Sequence, residues 1–260
     1  MLNLLRFSLL LSLSLLQACQ YHAGMKSSQS IQSQKKQSNA ATYNVQLGMA
    51  YLRQGDMPRA KRKLLTALDL APDSADANAT MAYYFEQTGD TKEAQIYYNR
   101  ALSLAPKSGA QLNNYGTFLC RLGKYPEAEG YFLKAVDDIY YINTAGAYEN
   151  AGLCAAAIPD YPKAKKYFLK ALKQDPRRSQ SLYELVTLEL NQSHPKTALM
   201  YLQKYSMLSQ DEPRLLALAV KAAHQAGKKK LVSDYKARLD KLNKFTDHTG
   251  AKNEHNSYSG

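Results

Sequence analysis

Small and apolar residues return along this chain at a fixed interval of 34 positions. Leu47-Gly48, Ala60, Leu64, Ala67 and Pro72 are followed 34 places on by Met81-Ala82, Ala94, Tyr98, Ala101 and Pro106, and then by Tyr115-Gly116, Ala128, Phe132 and Ala135. Each interval reads as two antiparallel helices joined by a tight turn. In the first, helix A covers about 41–54, Gly55-Asp56 ends it, and Pro58 falls in the first turn of helix B, where its missing N–H has no helical acceptor to lose. Helix B stops at Pro72. The turn glycine recurs as Gly89, Gly123 and Gly227, whereas Pro159-Asp160 and Ser193-His194 occupy that place in the fourth and fifth repeats, so those turns are expected to be less regular.

A period of 34 with small residues at the eighth and twentieth places marks a tetratricopeptide array. The expected fold is all-α: a right-handed superhelical solenoid of six tetratricopeptide helix pairs, at 41–74, 75–108, 109–142, 145–178, 179–212 and 213–246. Asn143 and Thr144 are a two-residue insertion between the third and fourth repeats. The small residues have a steric purpose. Gly48, Ala82, Gly116 and Gly152 are expected to face Ala60, Ala94, Ala128 and Ala164 across each helix pair, since larger side chains would push the helices beyond the usual 8–10 Å separation. Leu64, Tyr98, Phe132, Phe168 and Leu202 would fill the space between repeats. The sixth repeat is weaker, with Val232 and Lys236 in core places, as expected of a terminal repeat that turns a face to water.

The ends differ in kind from this array. Residues 1–18 carry Arg6 and a short apolar run from Leu9 to Leu16, too short to span a membrane, which needs about 20 apolar residues; they read as a cleaved signal. Leu16-Gln17-Ala18-Cys19 resembles a bacterial lipobox, which makes Cys19 the expected lipidation site and new N-terminus; the bland alternative is an ordinary signal peptide cleaved after Ala18. Gln20 after the Cys points to the outer membrane by resemblance to enterobacterial lipoproteins. The Ser-, Gln- and Lys-rich residues 19–40 then read as a flexible tether, spanning about 25 Å as coil. Residues 247–260 read as a disordered tail.

The formal charge is +12, one less after loss of Arg6 with the leader. Such a balance suits anionic lipid or an acidic protein, but the charges are spread along the repeats, and a mostly solvated basic face accounts for them more simply. An exported protein has little occasion to meet nucleic acid.

Three cysteines are present. Cys120 is twelfth in the third repeat and Cys154 tenth in the fourth, and two helix positions rotate a side chain by about 200°. One thiol should therefore point forward and the other back, which permits a bridge between adjacent repeats in an exported protein; two buried free thiols would fit the same positions. Little supports an enzyme. The five histidines are scattered, Asp137 and Asp138 are adjacent and so point apart on a helix, Gly123-Lys124 is only a repeat turn, and no paired-Cys metal motif occurs. No cofactor and no metal is expected. A partner-binding groove is expected instead, lined by one face of each helix A: Val45, Met49, Leu52, Ala79, Tyr83, Glu86, Asn113, Thr117, Glu149, Leu153, Tyr183 and Thr187, and further on Lys221 and His224. The apolar N-terminal members would mark a partner or lipid contact, or else belong to first-repeat packing.

The stretches NNYGTFLC (113–120), followed by Gly123, and YENAGLC (148–154) are more than generic repeat text. They resemble the type IV pilus biogenesis/stability lipoproteins called PilF or PilW, and the likeness extends over the lipobox, all six repeats and both cysteines. It implies a lipid-anchored outer-membrane protein facing the periplasm that binds the pilus secretin, or another pilus-assembly protein, and promotes its localisation and multimerisation, or else stabilises pili. The resemblance also places that family's paired cysteines on Cys120 and Cys154. Asn113, Asn114 and Asn150 would present amides to a partner or stitch adjacent repeats together. The competing expectation is an adaptor for cell-wall enzymes or outer-membrane protein assembly.

Overall fold

The computed structural model describes residue 32 and residues 34–255, with side chains up to residue 243. Among the described residues there are thirteen helices and no strand. The chain divides into two compact units after Pro106.

The first unit holds α1 (34–53), α2 (Met57–Leu70), α3 (Ala75–Gln87) and α4 (Thr91–Leu104). The second holds α5 (Gly109–Arg121), α6 (Tyr125–Val136), α7 (Thr144–Ala157), α8 (Tyr161–Gln174), α9 (Ser179–Asn191), α10 (Pro195–Lys204), the one-turn α11 (Ser206–Ser209), α12 (Pro213–Gln225) and α13 (Lys229–His255). Within each unit neighbours in sequence pack together, and in the second unit the A helices α5, α7, α9 and α12 also touch in series. The fold class is that of a tetratricopeptide solenoid. No helix among the described residues is long and apolar enough to cross a membrane.

All six A-to-B turns close in the same way. The N–H three residues past the helix end donates back to a carbonyl five residues earlier: Asp56 to Tyr51, Asp90 to Phe85, Lys124 to Leu119, Asp160 to Ala155, His194 to Glu189 and Lys228 to Ala223, at 2.8–3.0 Å. This is the Schellman closure, and it requires a left-handed residue just before the donor. Gly55, Gly89, Gly123 and Gly227 supply it, and Ser193 does so at φ +61°. The fourth and fifth turns are the less regular ones, as expected, with Pro159 at φ +25° and Ser193 in the glycine place, but both keep the backbone bond. Side-chain caps then start the B helices: Asp56, Asp90 and Asp160 accept from the N–H three residues on, at 3.0, 3.1 and 3.2 Å.

The small residues of the A helices lie against the large residue of their own B helix, more closely than against the alanine. A Cβ on Gly48 would come within 2.6 Å of Leu64, on Gly116 within 2.9 Å of Phe132, and on Gly152 within 2.6 Å of Phe168. Leu64, Phe132 and Phe168 thus fill space inside the pair as well as between pairs. Ala60, Ala94, Ala128, Ala164 and Ala198 are wholly buried, as the repeat pattern expects.

Three further features differ from the sequence reading. Helix α1 runs back through 34–40, part of the stretch expected to be a tether; Gln and Lys cannot build a core, but they are good helix formers. Helix α13 runs to His255, into the tail expected to be disordered. The B helix of the fifth repeat breaks at Tyr205, where α11 begins, and the buried Ser209 hydroxyl donates to the Leu202 carbonyl at 2.9 Å.

Candidate partner-binding surface

The residues expected to line a groove separate into two groups. In the first unit Leu52 and Ala79 are buried, and Met49 and Tyr83 pack half-buried against the cluster of Leu52, Leu64, Met81 and Tyr84. Leu52 and Ala79 are therefore not available to a partner. Apolar residues near the start of an array close its first helix pair, and packing takes them before any ligand can. Glu86 accepts a hydrogen bond from the Tyr98 hydroxyl at 3.0 Å, and Val45 remains half-exposed.

In the second unit the same face is a ladder of polar contacts from one A helix to the next. Between α5 and α7, the Asn150 amide donates to the Asn113 carboxamide oxygen at 3.0 Å and reaches the Thr117 hydroxyl at 3.4 Å, while Thr117 donates to the Asn113 backbone carbonyl at 2.8 Å. Asn113 is buried, so it is an inter-repeat stitch, the second of the two roles open to it from sequence. Between α7 and α9, Glu149 accepts from the Arg178 guanidinium at 3.1 Å and from the buried Ser181 hydroxyl at 2.6 Å. Between α9 and α12, Arg214 lies over the Tyr183 ring with its guanidinium carbon 5.3 Å from the centroid. Glu184 accepts from Gln180 at 2.7 Å. Burial pushes the Glu184 carboxyl above its usual range, against the hydrogen bond from Gln180 and the charge of Arg214.

Thr117 and Tyr183 are half-exposed and Leu153 is exposed, so these three predicted residues stay accessible. Thr187 is half-buried, and its hydroxyl oxygen is enclosed with no hydrogen bond. Sequence reasoning missed Arg178, Ser181, Glu184 and Arg214. A signal for Arg178 existed, since it closes the fourth repeat where the helix carrying Glu149 needs a cation. Cys19 and the signal lie outside the described residues.

Cys120 on α5 and Cys154 on α7 are disulfide-bonded, with Cα atoms 5.8 Å apart. Next to them, α6, α7 and α8 enclose a small recess of about 80 Å³ lined by Ala151, Cys154, Ile158 and Tyr167, with Glu129 at its rim. Glu129 accepts from the Tyr167 hydroxyl and, at 3.0 Å, from the Lys163 ammonium. Burial alone would raise the Glu129 pKa, but the two hydrogen bonds and the Lys163 charge outweigh it and hold the carboxyl below its ordinary range. A carboxylate with a lowered folded pKa contributes stability above its unfolded pKa, and that contribution is lost as pH falls through the folded value. Glu129→Gln should therefore lower the urea midpoint at neutral pH and flatten its fall on acidification from about pH 5 to about pH 3. An unchanged acid limb would contradict the assignment.

This surface holds hydrogen-bonding groups positioned on a helical frame. Among the described residues no three His, Cys, Asp or Glu side chains are grouped as metal ligands would be.

The tetratricopeptide repeat family matches residues 38–107 and again 79–140. The chain is 29% identical over 212 residues to the type IV pilus assembly protein PilF of Pseudomonas aeruginosa, covering 82% of this chain and 84% of that protein. A solved structure of P. aeruginosa PilF superposes with a TM-score of 0.66 at 27% identity, over 82% of this chain and 99% of that one. The crystal structure of PilW, described as a widely conserved type IV pilus biogenesis factor, gives 0.64 at 29% identity over 76% and 91%. With its repeat period, its uniform turn closure and these two likenesses, the chain is a PilF/PilW-like tetratricopeptide-repeat protein.

Proposed function

We propose that this protein is a scaffold for type IV pilus biogenesis. Lipid on Cys19 holds it at the outer membrane, facing the periplasm, and the A-helix face of its second unit receives a segment of the pilus secretin. Binding there promotes the secretin's localisation and multimerisation, or stabilises the pilus. The protein catalyses no reaction in this role. The observation that carries the reading is the likeness to PilF across most of both chains, at a TM-score of 0.66. The surface fits that role. Its polar side chains are already held by neighbouring repeats, so a partner would order few of them on binding, which lowers the cost of association. Thr117, Leu153 and Tyr183 are the accessible contacts, with Glu184 and Arg214 beside them. A membrane anchor adds a further gain by raising local partner concentration without new contacts.

Cys19→Ser in the full chain should mislocalise the protein and reduce secretin multimers and surface pili, measured by fractionation, gel mobility of heat-resistant multimers and pilus counts. Unchanged multimers and unchanged pili would refute the anchored-scaffold reading. Capture of murein hydrolases or outer-membrane assembly proteins in place of secretin would favour an adaptor instead.

A further inference from the structure

The two-residue insertion between the third and fourth repeats has a structural consequence that the scaffold reading does not use. The chain leaves α6 at Val136 and enters α7 at Thr144, and between them Ile139, Tyr140 and Ile142 stand 87%, 85% and 100% exposed. Three large apolar side chains so close in sequence and so fully in water are unlike the scattered single exposures normal on a protein surface. The loop is nevertheless firmly held. Asp138 accepts from the Gly109 N–H at 2.7 Å and from the Tyr140 N–H at 2.9 Å, which fixes the loop to the start of α5, where Ser108 provides no side-chain cap. Tyr141 turns inward over Gly109, so closely that a Cβ there would come within 2.5 Å of it. Asn143 accepts from Arg178, which also pairs with Glu149. Asp138 and Tyr141 thus anchor the loop to the third repeat and Asn143 anchors it to the fourth, while the three apolar side chains between the anchors point outward.

We propose that Ile139, Tyr140 and Ile142 form a rigid knob that docks into an apolar recess, rimmed by cationic side chains, on a partner protein. The choice of occupant follows from charge. The loop itself, residues 137–143, carries Asp137 and Asp138 and no Lys or Arg, in a protein whose formal charge is +12. An acidic flank disfavours an anionic lipid surface and favours a basic protein surface. A second copy would bring together two strongly positive molecules, and a knob entering a different site on its twin makes a head-to-tail contact that does not close. The proposal rests on the scaffold reading only in requiring a protein partner, and it uses a surface outside the A-helix face.

The test places a photoreactive amino acid at Tyr140 of the full chain in its own cells, with the same substitution at Met207, 89% exposed, as the control and at Tyr183 for the A-helix face. We expect position 140 to crosslink one protein that position 207 does not, with the crosslinked peptide lying in an apolar recess bordered by Lys or Arg. Purified, that protein should bind Ile139→Ser/Ile142→Ser about tenfold or more weakly and Met207→Ser normally. The variants change only exposed side chains, and an unchanged circular dichroism melt confirms their fold. Four results would overturn the knob: no capture at 140 above the control, capture of a second copy, unaltered affinity of the double variant, or knob-dependent flotation on phosphatidylglycerol vesicles. Secretin capture at 183 with nothing at 140 sinks the knob and leaves the scaffold standing, whereas capture at 140 with no pilus protein at either position sinks the scaffold alone.

Discussion

Replacing Phe168 by alanine should destabilise the second unit by about 3–5 kcal/mol, the cost of emptying a fully buried aromatic site that neighbouring side chains cannot refill. Phe168 is wholly buried and belongs to the cluster of Ala164, Leu172, Leu182, Leu185 and Leu202, which joins the fourth repeat to the fifth. It also lies in the space left by the missing side chain of Gly152, where a Cβ would come within 2.6 Å of the ring. Gly152→Ala should therefore cost about 1–3 kcal/mol by overpacking. The two changes should not add: with Phe168→Leu in place, Gly152→Ala should cost clearly less than it does alone, because the shorter side chain vacates the contested space. Urea unfolding of the wild type and these four variants measures this. A Phe168→Ala loss below about 1 kcal/mol, or strict additivity, would mean that the helix pair is not held by this contact.

Removing the Cys120–Cys154 bridge should cost about 3–4 kcal/mol in the chain-entropy account, since its reduction frees a loop of 34 residues in the unfolded chain. The bridge joins α5 to α7 across α6, and the packing beside it involves Leu119, Phe132, Ala151 and Tyr167. Loss should thus loosen the third and fourth repeats together. The double variant Cys120→Ala/Cys154→Ala and the reduced native protein should show the same lowered urea midpoint, because both remove the same constraint. Thiol titration in denaturant without reductant, with the labelled peptides mapped, should find both residues unreactive. Two labelled cysteines at 120 and 154 would end the assignment.

Much of the fold was legible because its determinants are local and repeated. A left-handed turn residue, a capping aspartate and a small residue opposite a large one each act over a few positions, so a 34-residue period reports them directly. The same logic explains Ser193. The backbone bond from His194 to Glu189 fixes the turn, and a residue tolerating positive φ is enough. The surface was less legible. A residue's place in the repeat says which face it lies on, but not what its neighbours reach. Leu52 shares that face with Leu153, yet packing buries the first and leaves the second exposed. Asn113 and Asn150 have side chains short enough to serve a partner or each other, and only the 3.0 Å separation decides. The exposed Ile139, Tyr140 and Ile142 were hidden for a different reason: they lie in the turn that ends the third repeat, where Tyr140 takes the place of Pro72 and Pro106, and a turn position assigns no face.

The scaffold account is tested most directly by in-cell photocrosslinking from Thr117, Leu153 and Tyr183, with the captured protein identified and the crosslink mapped. The account predicts the pilus secretin at all three positions, through one contiguous segment. Capture of cell-wall enzymes or outer-membrane assembly factors there, with no secretin, would contradict it.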